Sequence, residues 1–163
     1  MSRFASFIKL AVAIAVVGNA LVGVTPQAQA EIEFIQFTSV SKNIDCLVGS
    51  ESDGAVFANC LVQNATWKNE KPRPADCELD WDPNELTLTA PSSTSQRARV
   101  SIGGCRGDIG ALCGPECKVL QYGKSISRGR ITCTSSTTGI TCATTKGKKL
   151  GFLISKSTYK VLT

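Results

Sequence analysis

Eight cysteines lie between positions 46 and 142 of this 163-residue chain, which contains no histidine at all. Without imidazole there is no Ser-His-Asp or Cys-His pair, no His-ligated zinc and no ordinary histidine acid/base. An even cysteine count in a short chain then reads as a disulfide framework, not as metal ligands or catalytic thiols. Pairing is open to about a hundred arrangements in principle, so local pattern has to narrow it. No cofactor and no metal set is expected.

Such a framework needs an oxidising compartment, and the N-terminus reads as an address to one. Arg3 and Lys9 precede the apolar run 10–17, and the small-residue triplet Ala28-Gln29-Ala30 follows. This is the charged, apolar and cleavage-site order of a secretory signal peptide, residues 1–30. Gly18, Asn19 and Gly23 interrupt the run, whereas a spanning helix wants roughly 20 mostly apolar residues. No later stretch is apolar enough to span. The expected mature protein is residues 31–163, one domain, secreted or periplasmic, and not an integral membrane protein.

Within residues 31–163 helical periodicity is missing. Short alternating or β-branched runs at 32–37, 43–48, 55–62, 86–89, 97–102, 118–122, 129–134, 140–144 and 151–155 read as strands, with 157–162 a last strand or a turn. Short strands at this spacing predict an all-β fold, a small disulfide-stapled antiparallel sandwich or partly open barrel.

Two stretches share a pattern of strand, tight turn and returning strand. A two-residue turn at Thr137-Thr138 sets Cys133 opposite Cys142, and a turn centred on Asp53 sets Cys46 opposite Cys60. Opposed residues in an antiparallel ladder have Cα atoms roughly 4.5 to 5.5 Å apart, within disulfide reach. Cys113 and Cys117 bracket Gly-Pro-Glu, a natural turn. That leaves Cys77 with Cys105, the bridge that closes a long loop.

Five segments carry a resemblance: Ser39-Val40-Ser41-Lys42-Asn43-Ile44-Asp45-Cys46, Cys105-Arg106-Gly107-Asp108, Leu120-Gln121-Tyr122-Gly123, Gly139-Ile140-Thr141-Cys142, and Gly151-Phe152-Leu153-Ile154-Ser155-Lys156-Ser157-Thr158-Tyr159. In this order they resemble a family of small secreted bacterial domains without an assigned function, over nearly all of residues 34–162. Val40 and Lys42 stand where that family has Pro and Gly, and Cys113 with Cys117 is an added pair. The resemblance implies one secreted β domain with three core bridges and transfers no activity.

Several constellations compete for function. Asp76, Glu78, Asp80 and Asp82 alternate with Cys77, Leu79 and Trp81. In a strand the carboxylates would share one face, suited to Ca²⁺ or to acid/base work on a sugar, or would be a plain solvated face over an apolar side. Cys113-Gly114-Pro115-Glu116-Cys117 lacks the helix and βαβ setting of a redox motif. Arg106-Gly107-Asp108, which spells an integrin-recognition (adhesive) tripeptide, and the glycosylation sequon Asn64-Ala65-Thr66 are short enough to arise by chance.

Charge is the most suggestive feature. Residues 31–108 carry seven basic and twelve acidic groups, and residues 109–163 nine basic and one acidic. Such asymmetry suits an anionic partner, unless the two halves interleave as solvated faces. Lys146, Lys148 and Lys149 are the densest cluster, an expected anion-binding loop. No aromatics alternate with the lysines, so nucleic acid is not expected. The leading expectation is a non-enzymatic binding module contacting an anionic envelope polymer or another extracytoplasmic protein. A disulfide-rich hydrolase inhibitor presenting the loop from Cys113 to Cys117 is the second reading. A carboxylate-only hydrolase centred on Asp80 and Asp82 is the third.

Overall fold

The computed structural model describes residues 33–67, 71–93, 95–107, 112–114 and 117–163. Residues 1–30, expected as the signal peptide, lie outside them. Strands β1 (Phe34–Ser39), β2 (Ile44–Ser50), β3 (Val56–Val62), β4 (Asp80–Ala90), β5 (Arg99–Arg106) and β6 (Lys118–Leu120) form one sheet in the order β5-β4-β3-β2-β1-β6. Strands β7 (Ser125–Arg128), β8 (Ile131–Ser136), β9 (Gly139–Thr144), β10 (Gly151–Ile154) and β11 (Tyr159–Leu162) form the other, ordered β11-β10-β9-β8-β7. The described residues contain no helix, and neither sheet closes on itself. The fold is an open β sandwich, not a barrel.

Every pairing is antiparallel except β1 with β6, where Phe37 lies beside Lys118. Burial alternates along β8 and β9, as one-sided strands require. Phe37, Val48, Val62, Leu86 and Leu88 of the first sheet meet Ile131, Ile140, Phe152 and Ile154 of the second in one core.

At the centre of that core sit two bridges. Cys46 pairs with Cys60 in the β2–β3 register and Cys133 with Cys142 in the β8–β9 register. Both pairs are bridged, with Cα separations of 4.1 and 4.0 Å. All four residues are fully buried, and Cys60 Sγ lies 3.9 Å from Cys142 Sγ. Disulfide sulfurs carry no proton, so this contact is packing: one bridge of each sheet rests on the other. The remaining bridges join Cys77 to Cys105 and Cys113 to Cys117.

The structure departs from the strand expectations where long-range contacts take over. The strand expected at 86–89 is the end of β4, which begins at Asp80 and carries an irregularity between Asp82 and Leu86. Residues 76–79 are outside any strand, so the expected row of four carboxylates does not form, and Leu79 is exposed instead of facing the core. The Cys77–Cys105 bridge docks this segment, but Arg73, by donating twice to Cys77 O, turns the chain there. β7 was not expected, because Ser125-Ile126-Ser127-Arg128 is too short a pattern to register. Residues 159–162 resolve the strand-or-turn alternative as a strand.

Glycines at 103 and 104 make room for β4 side chains. Gly103, at φ 84°, lies against the Trp81 ring, and a Cβ on Gly104 would collide with the Glu85 carboxylate. The first sheet is tied to the second by the segment after β3. Thr66 N donates to Lys156 O at 2.8 Å, Trp67 Nε1 donates to Ser155 O at 2.9 Å, and the Trp67 and Tyr159 rings stand 4.7 Å apart.

Two stability outcomes follow from these facts. Removing the Cys77–Cys105 bridge by Cys77→Ala/Cys105→Ala frees a 28-residue separation and removing Cys113–Cys117 frees one of 4. Urea unfolding should show losses of about 3.5 kcal/mol for the first and about 2 kcal/mol or less for the second. Lys42, at φ 55°, is the only non-glycine with positive φ among the described residues. The left-handed region costs a branched-backbone residue roughly 1–2 kcal/mol, part of which Gly loses again as chain entropy. Lys42→Gly should therefore raise the free energy of unfolding by about 0.5–1 kcal/mol in urea titration.

Candidate functional site

The turns of the sandwich gather at two ends. At the end holding the β2–β3, β4–β5, β7–β8 and β9–β10 connections, the loop 145–149 is built around Thr144. That residue is buried, its N donates to Leu150 O at 2.8 Å, and its Oγ1 donates to Lys148 O and accepts from Leu150 N. Gly147, at φ 76°, supplies the left-handed residue at the bend. Thr145 then donates from both N and Oγ1 to Arg130 O, at 2.8 and 3.3 Å. The loop is thereby laid against the β7–β8 turn.

These bonds place Lys146 and Lys148 beside Arg130, and the segment before β5 brings Arg97 to the same place. The four cations line a cleft of about 470 Å³ with Gln96, Thr144 and Leu150. No carboxylate and no aromatic ring is among its described lining. Arg130 Nε and Nη2 are shielded from solvent and have no hydrogen-bond partner. Arg130 is half-buried at the cleft, and an oxyanion with two acceptor oxygens is the natural complement of a guanidinium.

The expected trio of lysines is divided. Lys146 and Lys148 line the cleft, whereas Lys149 stands over the outer face of the second sheet with Thr132, Thr134 and Thr141. Arg97 and Arg130 were not singled out in the sequence. Arg97 belongs to the net-acidic half, and Arg130 reads there as one of nine basic residues, inside the strand expected at 129–134. The Gly129-Arg130 pair at a hairpin turn was the one available signal, and it is a weak one.

The two carboxylates expected at the centre of a hydrolase site differ in exposure. Asp80 is exposed at the start of β4, and Asp82 is buried with its Oδ1 accepting from Asn84 N at 2.8 Å. The buried acid with strong partners is Glu85, paired with Arg106 and accepting from Asn59 Nδ2. Arg106 is thus engaged inside the fold, not offered as part of an adhesive tripeptide, and Asp108 lies outside the described residues. So do Pro115 and Glu116, the tip of the loop expected for an inhibitor. Among the described residues no group of three or more His, Cys, Asp or Glu could hold a metal ion.

A family of unknown function, DUF6636, matches residues 17–162. The chain belongs to that family. No curated protein and no solved structure matches it. The DUF6636 assignment carries the domain and no activity, so function has to be argued from the site. Four disulfides suit an oxidising extracellular environment, and no helix among the described residues is long and apolar enough to cross a membrane.

Two acids of β4, Glu85 and Asp80, should behave very differently. Glu85→Ala leaves Arg106 half-buried without its counter-charge and should cost about 3 kcal/mol in denaturant unfolding. Asp80→Asn, at an exposed position, should stay within about 0.5 kcal/mol of the parent.

Proposed function

We propose that this protein is a non-enzymatic, secreted or periplasmic binding module of the bacterial envelope, and that it engages an anionic envelope component through the basic cleft. The observation carrying this reading is the convergence of Arg97, Arg130, Lys146 and Lys148 on one cleft that no described carboxylate lines. Convergent cations around a concave site focus the field and raise the local concentration of anions. The absence of a ring in the described lining leaves no stacking platform for bases, which favours phosphate, sulfate or carboxylate groups over nucleic acid.

Charge segregation by layer supports the same reading. The second sheet is built entirely from the net-basic half, 109–163, and the first mostly from the net-acidic half. The two halves do not interleave strand by strand. The positive excess of the chain therefore lies with the second sheet and its loops, which would favour approach of that side to a negatively charged surface.

The test is calorimetric titration of soluble polyphosphate, and sedimentation with an envelope fraction, at low and physiological salt. Affinity should fall as salt rises, because exposed charges are screened within about 8–10 Å. Replacing Arg97, Arg130, Lys146 and Lys148 together by Gln should weaken binding at least about tenfold at low salt and flatten the salt dependence. Lys160→Gln, away from the cleft, should leave both unchanged. Equal affinity and equal salt slope in the fourfold variant would overturn the proposal.

A further inference from the structure

The opposite end of the sandwich holds a groove of different chemistry. It is formed by the β1–β2, β6–β7, β8–β9 and β10–β11 turns together with Asn64, and its volume is about 740 Å³. Apart from Ile44, Gly139, Leu153 and Lys156, every described lining residue carries a hydroxyl or a carboxamide. No carboxylate is among them. Tyr122 lines it with 48 % of its surface exposed, one of the few large rings left to solvent. Four of the five segments singled out in the sequence for their motifs meet here, in Ser41 and Asn43, Tyr122, Gly139, and Ser155. The basic cleft uses none of these.

The polar groups are held in place before any ligand arrives. Ser39 Oγ accepts from Ile44 N at 3.1 Å and contacts Ser41 Oγ, which braces the β1–β2 turn. Gly123 N donates to Ser135 O at 2.8 Å, and Ser135 N donates to Lys124 O, which fixes the turn carrying Tyr122 against β8. Ser136 Oγ donates to Gly139 O, and Ser155 Oγ donates to Thr158 O at 2.9 Å. Asn43 Oδ1 accepts from both Asn64 N and Asn64 Nδ2, which sets the orientation of its amide. Its Nδ2 is left shielded from water and without a partner.

We propose that this groove binds a neutral polyhydroxylated ligand, an oligosaccharide segment, with Tyr122 as the platform for one sugar ring and Asn43 and Asn64 as its principal hydroxyl partners. Sugar hydroxyls both donate and accept, and carboxamides and hydroxyls match them in kind. A pyranose ring also has an apolar face that lies on an exposed aromatic, whose phenolic tip stays wet. Groups fixed by the four turns lose little freedom on binding, so even a shallow groove retains useful affinity. A peptide is disfavoured, because the groove is walled by turns and offers no row of free sheet-edge backbone groups.

The proposal stands on a different end of the molecule from the anionic site, and the experiment keeps the two apart. The folded domain is ¹⁵N-labelled and titrated to millimolar concentrations with maltotetraose, cellotetraose and chitotetraose, each compared with inorganic phosphate. Saturable shifts are expected from at least one tetrasaccharide at Asn43, Asn64, Tyr122 and Thr138, with Arg97, Lys146 and Lys148 unmoved. Tyr122→Ala should weaken that binding about tenfold, whereas Tyr122→Phe should stay within about threefold. Phosphate should shift only the basic cleft, and its failure there would count against the anionic reading alone. Absence of saturable groove shifts with all three sugars would overturn the groove proposal. So would unaltered affinity in a folded Tyr122→Ala protein, or shifts produced instead by an unrelated control peptide.

Discussion

The contact between Cys60 Sγ and Cys142 Sγ, at 3.9 Å, joins the two cross-strand disulfides that the rest of the structure is arranged around. Each bridge locks the register of its own hairpin, and a slip of one residue in either would carry its whole apolar set to the wrong face. With both registers locked and both bridges buried, the two sheets stack with Phe37, Leu86, Phe152 and Ile154 fully inside. A chain of this size with modest aromatic content thereby holds a unique core with few large side chains. The Cys77–Cys105 bridge and the Trp67–Tyr159 contact then secure the periphery.

Rigid hairpins have a consequence at the ends of the sandwich. Turns that cannot slide present their side chains at constant positions, which is what a binding surface on loops requires. One end collects guanidinium and ammonium groups around Arg130, and the other collects hydroxyls and carboxamides around Asn43 and Tyr122. The two ends differ in the forces they can exert: long-ranged and salt-sensitive at the first, short-ranged and directional at the second. A module with both could be steered by charge and then select by hydrogen bonding.

Much of this was legible where the determining interactions are local. The turn at Thr137-Thr138 places Cys133 opposite Cys142 by counting, and the β8–β9 ladder has that register. The same holds for the turn around Asp53 and the β2–β3 ladder. The acidic stretch was misjudged for an instructive reason. Alternation predicts a strand across residues 76–82, but the Arg73 bonds to Cys77 O and the turn around it delay β4 to Asp80. The real buried acid, Glu85, is recognisable only once Arg106 and the space above Gly104 are seen beside it.

An all-β chain, its hairpins and the pairing within them were legible from local pattern, because strand period, turn residues and the cysteine spacing of the hairpins act over 14 positions or fewer. The sequence also carried the charge imbalance between halves. Only the assembled sandwich shows that the second half supplies one whole sheet and a single edge strand of the other, that Lys149 leaves the cluster, and that Arg97 crosses from the acidic half to join Arg130, Lys146 and Lys148. It likewise brought Asn43, Tyr122 and Thr138 to one groove from turns far apart in the chain. Neighbourhoods of this kind depend on how two sheets stack, and stacking is set by the summed burial of the core, not by any pattern a local stretch of sequence displays.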